Sequence, residues 1–440
     1  MRGFWFKFAG MKRFTGLFIL ICSLSLVSTQ PVQAQFWKKI FGKEEKRKPR
    51  KPKQENPAKK EEKQEKKLKD KKAPVYPETA KRESYRIDIL LPLHLGQLVK
   101  DGKPTYTKYV PEASLPGINF YEGVAMACDT LKNSNIRLDV YVHDIFDPAG
   151  NVAYLIANHV MDSSDLIIGA LQSGDIEPVA HFAKEHKINF VSALSPADAG
   201  VKDNPYFILI QPALHTHIRQ LVAFGKKKYT GAATYILYRD NRNEDEGYRQ
   251  LSKLLENDKA KEIKCPGELS ALTFKNVFDS TQKNVLYVSF LETGYTEKLL
   301  KLLAEQFPRY RFVVMGMPSW KSIYSITQAG NYANMDIYFT TPFFFDPTTG
   351  PGNFINNEYK KYSLMKPGEM VYRGYESVYW LSHLLHRYGR YFNKQITDVS
   401  AAQFTRYNIE PEYSDENDFL YLENKKLYIY HYSDGNYSVE

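Results

Sequence analysis

The sequence predicts an α/β protein whose parallel sheets are flanked by helices on both faces. Two observations carry this. From residue 85 onward, short apolar runs alternate with segments of helical period. The clearest unit, Asp165 to Pro196, also shows what the alternation is for. An apolar run (Leu166 to Leu171), an amphipathic segment (Ile176 to His186) and a second apolar run (Ile188 to Leu194) read as strand, helix and strand. The polar clusters Gln172-Ser173-Gly174-Asp175 and Ser195-Pro196 fall beyond the carboxyl ends of those strands, where ligands of parallel sheets gather. This stretch is expected to form one wall of a small-molecule cleft.

At the N-terminus, Met11-Lys12-Arg13 precedes an apolar run of about 15 residues, too short for a membrane span. Val32-Gln33-Ala34 then offers small residues for cleavage before Gln35, so residues 1–34 read as a signal peptide and the mature protein as periplasmic. Ile21 before Cys22 is a poor lipoprotein context. Residues 35–84 are rich in Lys and Pro and poor in apolar groups, and cannot bury enough surface to offset chain entropy. They read as a disordered linker. A sharper reading makes the lysines an electrostatic foot on anionic membrane or cell wall, with Phe36, Trp37, Ile40 and Phe41 as an interfacial anchor.

The chain has 440 residues, 43% of them hydrophobic, and a formal charge of +10. The positive charge lies in the first 72 residues; residues 73–440 carry 39 Lys/Arg against 43 Asp/Glu. A mildly acidic folded part argues against nucleic-acid binding. Cys128 and Cys265 read as two buried free thiols, with a pairing left open.

In order, Tyr85 to Leu93 is an apolar strand, followed by a long loop (His94 to Pro116) carrying Tyr106 and Tyr109, placed to reach over a crevice. Ile118 to Leu131 has helical spacing, Ile136 to Val142 is a strand, and Asp144 to Pro148 is a turn launching a helix through Met161. After the opening unit come a helix (His215 to Lys228), a strand (Ala232 to Tyr238), a helix (Glu244 to Glu256) and strands at Lys261 to Cys265 and Asn284 to Leu291. A helix (Thr296 to Gln306), two strands (Arg311 to Met317, Met335 to Phe343) and a helix (Tyr372 to Tyr388) follow. Residues 419–422 and Leu427 to Tyr432, across Glu423-Asn424-Lys425-Lys426, read as a hairpin.

Three phrases, INFYEGVAMACDTL, LDVYVHDIFDPAGNVAYLIANHVM and the Asp165 to Pro196 stretch, resemble in order and spacing the periplasmic-binding-protein family of the Leu/Ile/Val-binding type (type I, receptor ligand-binding class). The resemblance covers roughly residues 85–430 and implies two α/β lobes around a hinge: lobe 1 about 85–210 plus a later return segment, lobe 2 about 211–340. It also implies a solute held between them. By position, the family's contacts in lobe 1 fall on Ser173, with Gln172 and Gly174 beside it, and on Ala193 and Ser195. A plain helix cap at Ser173 and a turn at Ser195 are the alternatives. In lobe 2 the pattern departs. Met317-Pro318-Ser319-Trp320-Lys321 lacks the acid that meets an amino acid's ammonium, and Glu292 or Tyr295 stands where a tyrosine is expected. Trp320 suits either ring stacking on a ligand or core packing.

No nucleophile elbow, phosphate loop or His-Glu-x-x-His motif is present, so a non-enzymatic role without cofactor or metal is expected. Two functions remain open: a solute receptor serving ABC-type uptake or sensing through an inner-membrane permease, and an envelope interaction protein that keeps the fold but regulates cell-wall or outer-membrane assembly.

Overall fold

A computed structural model describes residues 7–8, 70–79, 81–106, 109–361, 363 and 365–440. The predicted signal segment, apart from Lys7 and Phe8, and the linker up to residue 69 lie outside the described residues.

The N-terminal unit begins with β1 (Tyr85–Leu91), α1 (Leu115–Leu131), β2 (Leu138–Asp144) and α2 (Val152–Ala157). It continues with β3 (Leu166–Gly169), α3 (Ser173–His186), β4 (Asn189–Ser192) and β5 (Phe207–Leu209). The second unit holds α4 (Leu214–Lys228), β6 (Ala233–Tyr238), α5 (Asp245–Leu255), β7 (Lys261–Lys264), β8 (Lys283–Val288), α6 (Thr293–Gln306), β9 (Arg311–Met315) and β10 (Met335–Thr341). Then follow α7 (Gly350–Tyr359), α8 (Glu369–Tyr388), β11 (Ile409–Tyr413), β12 (Phe419–Asn424), β13 (Tyr428–Ser433) and β14 (Asn436–Val439).

The strands form two large sheets. The first runs β2-β1-β3-β4-β5-β12-β11, with Lys7–Phe8 alongside β2; it is parallel except for β11 against β12. The second runs β7-β6-β8-β9-β10-β13-β14 and is parallel as far as β10. The unbroken apolar runs are explained by burial on both faces. Along β1, Ile87, Ile89 and Leu91 join one apolar cluster while Leu90 joins the cluster on the other face. In β3, Leu166 and Ile168 divide from Ile167 in the same way. A separate core, including Leu237, Leu286, Val314 and Trp320, fills the second lobe.

The chain passes between the lobes three times: after β5, after β10, and between β12 and β13. The last crossing corrects the hairpin expected over residues 419–432. β12 lies beside β5 in the first sheet, and β13 pairs with β10 in the second. Glu423 and Asn424, expected at a loop, are completely buried. The Glu423 carboxylate accepts the Ala213 N–H at 2.9 Å, and the Asn424 side chain donates to the Ile210 carbonyl at 3.3 Å. These bonds tie the third crossing to the first and carry the chain straight on. The true hairpin partners are β11 for β12 and β14 for β13.

Helices α1 and α8 cover one face of the first sheet and touch backbone to backbone. A Cβ on Gly123 would lie 2.0 Å from the Val371 carbonyl oxygen, and one on Gly374 would lie 2.1 Å from that of Phe120. Cys128 and Cys265 are buried and free, and sit in the cores of different lobes, which excludes their pairing. At the end of the lysine-rich segment, Tyr76 is buried edge-on to Tyr206, and Lys71 lies 5.0 Å over the Tyr413 ring. Aromatic contact orders these last linker residues where charge density alone predicts a solvated chain. Among the described residues, no helix is long and apolar enough to cross a membrane.

Candidate functional site

Topology aims the carboxyl ends of both sheets at the hinge. In the first sheet β5 is parallel to β4 and β12 is parallel to β5, and both run out into crossings. In the second, β10 is parallel to β9 and β8 and runs out into the crossing back. The loops beyond these ends therefore face one another across the hinge, the place where open α/β sheets bind ligands.

On the first lobe, Gln172, Ser173 and Gly174 sit together at the start of α3, directly after β3. Gln172 is the N-cap residue, with extended backbone and no side-chain cap, and Ser173 is the first helical residue. Gln172 and Gly174 are exposed and Ser173 half-buried. The plain capping role weighed for Ser173 is thus not the one it plays, and no side chain takes the first N–H groups of the helix. Such groups, with the helix dipole, suit an anion. Asp175 lies in the same turn, where burial pushes its carboxyl up.

Ala193 and Ser195 follow β4 and are both buried. The Ser195 hydroxyl accepts the Ala197 N–H at 3.2 Å, the turn that a Ser before Pro makes. The Ala193 carbonyl accepts from Arg373, described below. Asp144, after β2, binds the long loop that follows β1: its carboxylate accepts the N–H groups of Leu93, His94 and Leu95 as well as that of Phe146.

On the second lobe the carboxyl edge is closed upon itself. The Arg239 guanidinium makes two bonds to the Glu244 carboxylate, at 2.6 and 2.7 Å, and one to Glu292 at 2.8 Å. Glu244 is buried and also accepts the N–H groups of Leu291 and Glu292. Arg239 lies 4.2 Å over the ring of Tyr295, whose hydroxyl donates to the Pro266 carbonyl. Burial pushes that phenol up to about 12. Trp320 is fully buried against Gly316, where a Cβ would lie 2.1 Å from the indole, and its ring N–H donates to the Phe290 carbonyl at 3.0 Å. Tyr295 and Trp320 thus belong to the second-lobe core, apart from the Ser173 cluster of the first lobe.

The next residue, Lys321, reaches the other lobe. Its ammonium donates to Glu369 Oε2 at 2.6 Å, at the first turn of α8. One turn on, Arg373 is fully buried; its Nη2 donates to the Ala193 carbonyl at 2.6 Å and to Gln211 Oε1 at 2.9 Å, and its plane lies 3.9 Å over Phe343. Burial pulls the guanidinium down to about 10, so it stays charged at neutral pH. Strand end, two crossings and helix start meet at this side chain. Glu369 and Arg373 were not foreseen from sequence. Their spacing of four marks an ordinary helix ion pair, and the helix was expected to begin only at Tyr372.

A second charged cluster sits at the hinge itself. His215, Glu412 and Glu423 converge closely enough to suggest a cation site, but the Lys425 ammonium lies on both carboxylates. His215 Nε2 is 3.2 Å from Glu412 and 3.5 Å from Glu423. Burial would lower its pKa, yet the two carboxylates hold it up at about 9. Lysine and imidazolium thus supply the positive charge. An adjoining cavity of about 510 Å³, lined among others by Lys71, Arg219, Glu412 and Lys425, includes none of the residues carried over from the resemblance.

No protein-family model matches the chain, and no curated protein matches it in sequence. Solved structures do match. A Rhodospirillum rubrum structure assigned to a branched-chain amino acid ABC transporter aligns over 81% of this chain and all of its own, at TM-score 0.59 and 12% identity. The fold is that of the type I periplasmic binding proteins. A branched-chain amino acid ABC transporter periplasmic ligand-binding protein from Burkholderia xenovorans shares this fold at TM-score 0.54 and 13% identity, over 81% of this chain and 94% of its own. So does an ABC transporter substrate-binding protein from Desulfitobacterium hafniense in complex with Leu, at 0.51 and 12%, over 81% of this chain and all of its own. Identities this low speak for the periplasmic-binding-protein fold alone.

Proposed function

We propose that this chain is an exported, non-enzymatic solute-binding protein that closes on a small polar ligand between its lobes, for ABC-type uptake or sensing. The observation that carries the reading is the uncapped start of α3, with Ser173 half-buried at a strand end turned toward the hinge. Binding of Leu by the Desulfitobacterium hafniense protein of like fold supports the solute role. In this chain Ser173 and the N–H groups around Gly174 hold a polar group, the lobes exclude water around it, and a permease receives it. The lysine-rich linker tethers the domain at an anionic membrane or wall.

The closed edge around Arg239, Glu244 and Tyr295 favours a second reading, in which the fold serves an envelope assembly partner instead. Thermal-shift and calorimetric screening of the whole secreted protein against amino acids, short peptides, organic acids and muropeptides separates the two. Ser173→Ala weakens any ligand found by about 1 kcal/mol or more. Absence of any hit, with an envelope protein co-purifying, refutes the solute role.

A further inference from the structure

The hinge-side floor of the first lobe holds a buried cation whose neighbours satisfy it only in part. Arg373 is 1% exposed, and its bonds to Ala193 and Gln211 both use Nη2. Among the described residues, Nε and Nη1 have no hydrogen-bond partner. The nearby acid, Glu369, stands 3.6 Å from Nη1, too far for a hydrogen bond, because its other oxygen is drawn to Lys321. A guanidinium does not shed its proton in a protein and carries its donors in a fixed fork suited to carboxylate or phosphate. Buried donors left without an acceptor are costly, and a charged one more so.

Glu369 itself lies between one cation from each lobe, Arg373 of the first and Lys321 of the second. It is the first residue of α8, a 20-residue helix whose N-cap, Gly368, offers no side-chain cap. An internal carboxylate thus bridges the lobes at a helix start, beside the carboxyl end of β4. Arg373 and Lys321 against Glu369 leave a net positive charge.

We infer that Arg373 and Lys321 form the subsite for the anionic group of the solute, a carboxylate or a phosphate, and that Glu369 is an internal competitor for it. This rests on the solute-binding reading and gives it a ligand class. The two charged side chains seen against Glu369, Lys321 and Arg373, are cations, and Met317 to Lys321 contains no acid to meet an ammonium. The subsite therefore selects organic acids or phosphorylated solutes over free α-amino acids. When the anion enters, Glu369 gives up Lys321, and the ligand bridges the lobes in its place.

Calorimetry on the whole protein with succinate, inorganic phosphate, leucine and glucose tests this. Succinate or phosphate is expected to bind more tightly than leucine, and the stronger of the two identifies the group. Glu369→Gln, which removes the competing charge, should tighten that anion at least tenfold. Lys321→Met should weaken it severalfold, and Arg373→Lys at least tenfold. Because Arg373 is buried and its variant is prone to misfold, the first two variants decide the case, each first shown by circular dichroism to melt cooperatively. Leucine or glucose binding without either anion overturns the subsite while leaving the solute role standing. Anion binding indifferent to both Glu369→Gln and Lys321→Met also overturns it. Silence of all four probes in the wild type and in Glu369→Gln overturns it as well, and the wider screen above then decides the solute role.

Discussion

Substituting Gly123 by alanine tests the packing that holds α8, and with it Glu369 and Arg373, against the first lobe. The new methyl would lie 2.0 Å from the Val371 carbonyl oxygen and 2.6 Å from the Tyr375 nitrogen, where ordinary contact begins at 3.4 Å. The obstructing atoms are backbone, so relief requires one helix to move by more than an ångström across an interface filled on both sides. Overpacking of this kind costs about 1–3 kcal/mol. Alanine returns roughly 1 kcal/mol of helix propensity, leaving a net loss of up to about 2 kcal/mol. Gly374→Ala, which meets Phe120, should behave alike. Gly247→Ala in α5 is the control: its nearest neighbour is 3.7 Å away, so propensity acts alone and the variant should equal or exceed the wild type by up to about 1 kcal/mol. Urea unfolding followed by far-UV circular dichroism measures all three. If Gly123→Ala matches Gly247→Ala at unchanged m-value, the close helix contact is wrong.

The hinge cluster predicts a pH dependence. His215 has a folded pKa of about 9, above its unfolded value near 6.5, so its contribution is complete below 6.5 and is lost as pH rises to 9. That loss is on the order of 3 kcal/mol, and His215→Gln should flatten this limb of the stability profile; an unchanged slope would exclude His215 as its source. Burial pushes the Cys128 and Cys265 thiols up to about 12, so in protein produced from residue 35 onward, which lacks Cys22, a thiol-specific reagent should react slowly in the native state and rapidly, at two sites, in denaturant. A fast site in the native protein contradicts their burial. Lys321→Met removes an ion pair that spans the lobes and is largely shielded from water. A loss of roughly 1 kcal/mol would shift a closed-open balance about fivefold, seen as a larger radius of gyration by small-angle scattering; identical curves for both proteins would mean that the pair does not hold the lobes together.

The alternation of the fold was legible because it obeys local rules. A strand buried on both faces must be apolar throughout, as from Ile87 to Leu91 and Leu166 to Leu171, and a helix that covers it must be apolar along one stripe. The third crossing was not legible by the same rules, since four polar residues between two short strands look like a turn. What keeps Glu423 and Asn424 out of a turn is bonding to Ala213 and Ile210, more than 200 residues earlier in the chain. Tyr295 and Trp320 illustrate the same limit. An aromatic residue just beyond a strand end has no local signal for whether it faces a cleft or folds back, and here Arg239, Pro266 and Gly316 draw both inward.

The two lobes thereby contribute unequal chemistry at the hinge. The first offers the open start of α3 and a guanidinium with donors to spare; the second has joined Arg239, Glu244 and Glu292 to one another and sends Lys321 across. A carboxylate already paired with a bidentate arginine and two backbone donors, as Glu244 is, has few lone pairs left for an ammonium, and displacing it would leave a buried charge unpaired. Recognition of a zwitterion needs complementary charge on both sides of the cleft. The second lobe, with Glu244 and Glu292 committed to Arg239, reaches across the hinge with a lysine. If Arg373 and Lys321 form the anion subsite proposed above, departure from the amino-acid pattern in the sequence and closure of the second lobe in the structure have one physical meaning: the hinge is assembled for negative charge.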